Sequence, residues 1–151
     1  MKYAENTQVS SERSRNEIER ILERYGASAF GYGWQNSSAT VMFQMNGRQI
    51  RFIIHLPDKE QFKTTDTGRL RKQTAVHQAY EQAVRQQWRA LALVVKAKLE
   101  AVESGISEFD QEFMAHIVLP NGQTVSQFML PQISEAYETG KMPKMLPMLT
   151  E

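Results

Sequence analysis

Three histidines and one alternating run of acids are the residues of this chain whose types suit catalysis or metal binding. His55, His77 and His116 are each isolated, so no two stand at the i, i+4 spacing that puts a pair of imidazoles on one helix face. Glu108, Asp110 and Glu112, followed by His116, could offer ligands to a hard cation, although acids between a helix and a strand more often form a solvated surface. The chain contains neither a glycine-rich phosphate loop nor a nucleophile elbow. It has no cysteine, which removes disulfides, thiolate zinc sites and cysteine nucleophiles together. Pro57-Asp58 opens like a metal-dependent nuclease motif, but no Asp/Glu-x-Lys follows in the strands beside it. The reading leans away from an enzyme and implies no cofactor and no metal.

A different chemistry is written in the charge order. The formal net charge of +1 conceals a split. Residues 69–98 carry seven Arg or Lys against one acid, Glu81, a net of +6; residues 99–138 carry seven acids and no Arg or Lys, a net of −7. Such a step suits a polyanion on one side and a basic partner on the other. Arg85, Arg89 and Lys96 fall on one side of the helix expected there, and Arg69, Arg71 and Lys72 stand just before it. These six are the candidate contacts to a nucleic-acid backbone, DNA or RNA. Lys98 differs, lying by angle beside Tyr80 and Leu91, where its stem would snorkel along the apolar face.

The elements that must position these residues follow from periodicity. Ile18, Ile21, Leu22 and Tyr25 give one apolar stripe, with Ser10 or Ser11 as cap and Gly26 as stop, so a helix is expected over 11–25. Asn46-Gly47 is a type I′ hairpin signal. A turn there pairs Phe43 with Ile50, Val41 with Phe52 and Ala39 with Ile54 on one apolar face, and Met42 with Arg51 on the other. A second turn at Asn36-Ser37 sets Trp34 opposite Ala39 and Tyr32 opposite Val41, which makes a three-stranded antiparallel meander. In that register Phe30, Tyr32 and Trp34 face the core, so base stacking on them is not expected. Gly31 and Gly33 leave the opposite face thin, the mark of a twisted or edge strand or of a ligand close to the backbone.

Residues 58–73 form a long polar connection with a bend at Gly68. Val76, Tyr80, Val84, Trp88, Leu91, Val95, Leu99 and Val102 then keep 3–4 spacing, which predicts a helix over 74–104 of roughly 45 Å. Residues 113–119 alternate like a fourth strand. Thr124 with Gln127 makes a capping box for a C-terminal helix that Pro131 should kink or divide and Gly140 should end. Residues 141–151, with five apolar side chains around Pro143 and Pro147, read as an extended strap over the end of the long helix.

The order helix, meander, long helix resembles two nucleic-acid folds at the level of topology: the double-stranded RNA-binding domain, whose second helix begins with a basic cluster, and the Rad52-like core of single-strand annealing proteins. The run Trp88-Arg89-Ala90-Leu91 with residues 96–102, and the run Ala115-His116-Ile117-Val118-Leu119-Pro120, resemble small uncharacterised proteins of bacteriophages and prophages. That resemblance implies a viral setting and assigns no catalytic residue.

The 151 residues thus read as one α+β domain with 1–9 and 141–151 as terminal extensions: an antiparallel sheet of three or four strands, with the first and the long helix on its apolar face and the C-terminal helix and tail closing the other end of the long one. With no apolar leader and no long uncharged run, the expected location is cytoplasmic and no membrane partner is expected. The expected function is a non-enzymatic nucleic-acid-binding accessory protein. The competing expectation is a protein-binding or self-assembling module, such as a homo-oligomer or an inhibitor of a host protein, that uses the acidic half.

Overall fold

The computed structural model describes residues 3–143. Its elements run α1 (Ser11–Arg24), β1 (Ala29–Gln35), β2 (Ser38–Met45), β3 (Arg48–His55), α2 (Gln73–Glu103), α3 (Phe109–Glu112) and α4 (Val125–Thr139), with short 3-10 turns at Lys59–Phe62 and Met114–His116. The fold is α+β, with one antiparallel sheet in the order β1-β2-β3.

Both hairpin registers follow the turns. Asn46 and Gly47 sit at positive φ, 53° and 72°, as a I′ turn demands, and Met45 meets Arg48 across it. Asn36 is also at positive φ, and Trp34 meets Ala39 beyond it. One face therefore gathers Ala39, Val41, Phe43, Met45, Ile50, Phe52 and Ile54, all buried. Against it pack Ile18, Ile21 and Leu22 of α1 and Trp88, Leu91, Ala92, Val95 and Leu99 of α2. Ser10 caps α1 by accepting from Arg13 N–H, and Thr124 and Gln127 form the capping box of α4.

Four expectations need correction. The alternating stretch 113–119 is not a strand. Phe109 and Phe113, four residues apart, turn together into the core on α3, and the chain then makes a 3-10 turn. What remains of a fourth strand is an isolated bridge from Ile117 to Ile50 and a Val118 N–H to Gln49 O bond. Helical burial of two phenylalanines outweighs the period-2 pattern that follows them.

The C-terminal end of α2 is closed by α3 rather than by α4. Phe113 packs edge-on against Phe43 and Phe52, and Lys98 reaches from α2 to Glu112. α4 stands instead on the Met114–His116 turn and buries no residue fully. Of the two outcomes expected at Pro131, division does not occur, since the proline lies inside one continuous helix. The strap expected over 141–151 lies, from residue 144 on, outside the described residues.

The aromatic edge is the fourth correction. Tyr32 and Trp34 point to the core side of the sheet, yet they are 49% and 77% exposed: the helices cover Tyr32 only in part, through Trp88 edge-on and Arg15 over its ring, and Trp34 less still. Phe30, by contrast, packs against the core.

The turn and face assignments lead to a direct expectation. Gly47→Val forces a β-branched residue into positive φ and should cost about 1–3 kcal/mol. Phe43→Ala should cost roughly 3–5 kcal/mol, and Met42→Ala, on the open face, far less. Thermal melts of the three variants check this, and equal losses for Phe43 and Met42 would contradict the two-faced sheet.

Candidate nucleic-acid interface

α1 and α2 lie side by side and run in the same direction. Arg15 sits over the ring of Trp88, Glu17 pairs with Arg89, and Tyr25 donates to Glu100, so position increases along both helices together. The Glu100 carboxylate holds the Tyr25 phenol above its usual range, chiefly through that hydrogen bond.

The six cations singled out by sequence fall in two groups. Arg85, Arg89 and Lys96 recur on the flank of α2 that meets α1. Arg89 is half-buried and ion-paired to Glu17, and Arg85 bonds Gln82, whose amide in turn holds the carbonyls of Glu5 and Thr7. Lys96 is exposed and has no side-chain partner among the described residues. Arg69, Arg71 and Lys72 belong with the connection before α2, on another flank. That connection folds as a 3-10 turn and a small bridge between Thr64 and Leu70 about Gly68. Arg71 is anchored on Phe62 O, and Phe62 packs edge-on against Tyr80. Tyr80 and Arg85 are five positions apart, about 140° around the helix, so the loop group and the helix group do not form a single stripe.

Arg69 and Lys72 are exposed, without side-chain partners among the described residues, at the start of α2. That helix end has no side-chain cap and no acid in its first turn. Its positive dipole end is therefore not neutralised locally.

Sequence reasoning missed the cations of α1. Arg13, Arg20 and Arg89 line one groove between the helices, with Ser10, Glu12, Asn16 and Glu17. Arg13, Arg20 and Arg24 recur at intervals of seven and four, which keeps them on one face of α1. The spacing was visible in the chain, but four interspersed glutamates gave residues 11–24 no net basic signature.

The acidic half is partly spent inside the fold. Asp110 binds Arg48 at 3.0 Å, and Glu112 accepts from Lys98 at 3.0 Å while Lys98 lies over the Phe113 ring. His116, the last member of the possible cation site, stacks on Phe52 with ring centres 3.9 Å apart. Among the described residues no group of three or more His, Asp or Glu could hold a metal ion. No helix among them is long and apolar enough to cross a membrane. Comparison with protein-family models, with curated proteins and with solved structures finds no match to this chain.

His116 supplies a pH dependence. Burial pushes its pKa down, the nearby Lys98 ammonium adds to this, and a backbone hydrogen bond to Arg51 opposes both. The folded value is thus below the unfolded ~6.5. Between the two, the unfolded chain binds more protons, so stability rises with pH. The contribution is complete above the unfolded value and is lost as pH falls through the folded one. The melting temperature should drop on acidification from about pH 7 to 5, and His116→Phe should flatten that slope. An identical slope in the variant would assign the effect to other groups.

Proposed function

We propose that this chain is a non-enzymatic nucleic-acid-binding accessory protein whose α1 and α2 together hold a phosphate backbone. The observation that carries the reading is the meeting of Arg13 and Arg20 from α1 with Arg89 from α2 in one groove between two parallel helices, with Arg24 on the same face of α1 and Arg85 and Lys96 on the same flank of α2. Arg85 to Lys96 covers about 16 Å of helix, against one phosphate per ~3.4 Å of axis on each strand. Guanidinium groups suit the role because their planar fork matches two phosphate oxygens at once. Glu17 is neutralised by Arg89, and Glu12 lines the same groove as Arg13 and Arg20, so three arginines stand against two glutamates there and the groove keeps a net positive charge.

Arg69 and Lys72 supply a second contact at the start of α2. Seventeen positions separate Lys72 from Arg89, about 25 Å along the helix. A backbone held at both places would bind by charge and shape, with no base readout. A viral setting, as the resemblance of residues 88–102 to bacteriophage proteins implies, accords with an accessory role of this kind.

The test is filter binding to single- and double-stranded oligonucleotides over a series of salt concentrations. Arg20→Ala with Lys96→Ala should leave the thermal melt unchanged, since both side chains are exposed and no bond to either is formed among the described residues. The pair should lower the log–log salt slope by up to roughly 1.4–1.8, two contacts at ~0.7–0.9 each. Arg89→Ala is a poorer probe, because it also breaks the bond to Glu17. Wild-type affinity and slope in the double variant would reduce this surface to a solvated helix face. Absence of binding by the wild type would overturn the reading.

A further inference from the structure

The two edges of the sheet are treated differently. Along β3 the edge is occupied from Gln49 to Phe52: Val118 donates to Gln49 O, Ile117 bridges Ile50, and the His116 ring lies on Phe52. Along β1 no described segment pairs with the outer edge. Open edges are ordinarily protected by charges, proline or a bulge. β1 reads Ala-Phe-Gly-Tyr-Gly-Trp-Gln, with no charge and no proline, and its register with β2 is continuous over all seven residues.

Backbone geometry adds a second observation. The two-residue turn makes Gln35 and Ser38 a hydrogen-bonded pair, and the antiparallel alternation then turns the N–H and C=O groups of Gly31 and Gly33 toward β2. Those of Phe30, Tyr32 and Trp34 point outward. The residues with outward backbone groups are therefore the ones that carry aromatic rings, and two of these rings are left exposed.

The strand is also symmetric about Tyr32, with a glycine and then an aromatic residue on each side. We propose that β1 pairs antiparallel with β1 of a second copy, across a two-fold axis at Tyr32, to make a continuous six-stranded sheet. Tyr32 then faces the partner subunit's Tyr32, Gly31 faces the partner subunit's Gly33, and Phe30 faces the partner subunit's Trp34. Each of the three aromatic pairs exchanges two backbone hydrogen bonds. All six rings lie on the core side of the sheet, so Trp34 is covered by a ring already anchored in the other core. An isologous contact needs a self-complementary surface, and the symmetry of this uncharged strand meets that need, with Arg15 of each copy lying over its own Tyr32 ring beside the axis. At ~150–250 Å² per fully buried ring, the exposed parts of Trp34 and Tyr32 from two copies supply roughly 600 Å² of a standard ~1,600 Å² interface. An unrelated extended peptide would use the same backbone groups but would leave the symmetry of the strand without a role. The proposal is independent of the nucleic-acid reading.

Because the chain has no cysteine, one substitution probes the register. Tyr32→Cys places two thiols on a hydrogen-bonded pair with Cα atoms ~5.5 Å apart, inside the ~4.4–6.8 Å range of a disulfide. Mild oxidation should convert it to a covalent dimer. Gln35→Cys is offset from its own copy by six positions, about 20 Å, and should stay uncrosslinked. Sedimentation equilibrium of the unaltered protein should give the mass of two chains, and Trp34→Asp should halve it with the thermal melt retained. A single-chain mass at every concentration overturns the proposal. So does a dimer that survives Trp34→Asp, or crosslinking that is as fast at position 35 as at 32. Quenching of Trp34 fluorescence by an oligonucleotide with the mass still that of one chain would assign the edge to base stacking instead.

Discussion

The turn at Asn46 and Gly47 is the constraint on which the rest of the molecule depends. Its two positive φ angles decide which residue of β2 faces which residue of β3. A slip of one residue would send Val41, Phe43, Ile50 and Phe52 to the solvent side. With the register held, Phe43 and Phe52 stack, and Phe113 closes on both edge-first. That aromatic group gives α2 a surface to lie on and gives α3 a place to dock. α1 then packs beside α2, and the charged flanks of both helices meet on the side away from the sheet.

Several ionic groups of this protein serve two purposes. Arg89 belongs to the basic surface and also ties α2 to Glu17 of α1; Lys98 sets its ammonium over the Phe113 ring and against Glu112. Arg51 reaches from β3 to the Gly122 carbonyl and Gln127, and so holds the start of α4 near the open sheet face. Partly exposed pairs of this kind contribute little stability each, about 0–1 kcal/mol. Their effect is geometric, since each fixes the angle between two elements that hydrophobic contact alone would leave free to slide.

A consequence is that charge along the chain is a poor guide to charge on the surface. The basic block 69–98 separates into a loop group and a helix group, and α1, whose cations are diluted by glutamates, joins the second. The acidic block gives two of its carboxylates, the exposed Asp110 and the half-buried Glu112, to Arg48 and Lys98. Helical rotation sorts neighbours in sequence onto different sides, and tertiary pairing then cancels some of them.

What the sequence by itself determined is local. Turn residues, caps and stripes are governed by interactions within a few positions, so Asn46-Gly47, Ser10, Thr124 with Gln127, Gly140 and the 3–4 spacing of α2 could be read directly, and with them the α+β class and both strand registers. Tertiary structure alone decided how far each patterned face was covered. Phe109 and Phe113 became a helical pair because Phe113 closes on Phe43 and Phe52 while Phe109 packs on Phe113, an advantage no alternation in 113–119 could reveal. Trp34 shares the core side with Ala39 but lies beyond the reach of the helices, so facing the core and being buried came apart. Arg13 and Arg20 of α1 came to share a groove with Arg89 only because α2 runs parallel beside them. Periodicity states which side of an element a residue occupies, whereas burial and partnership depend on where other elements end.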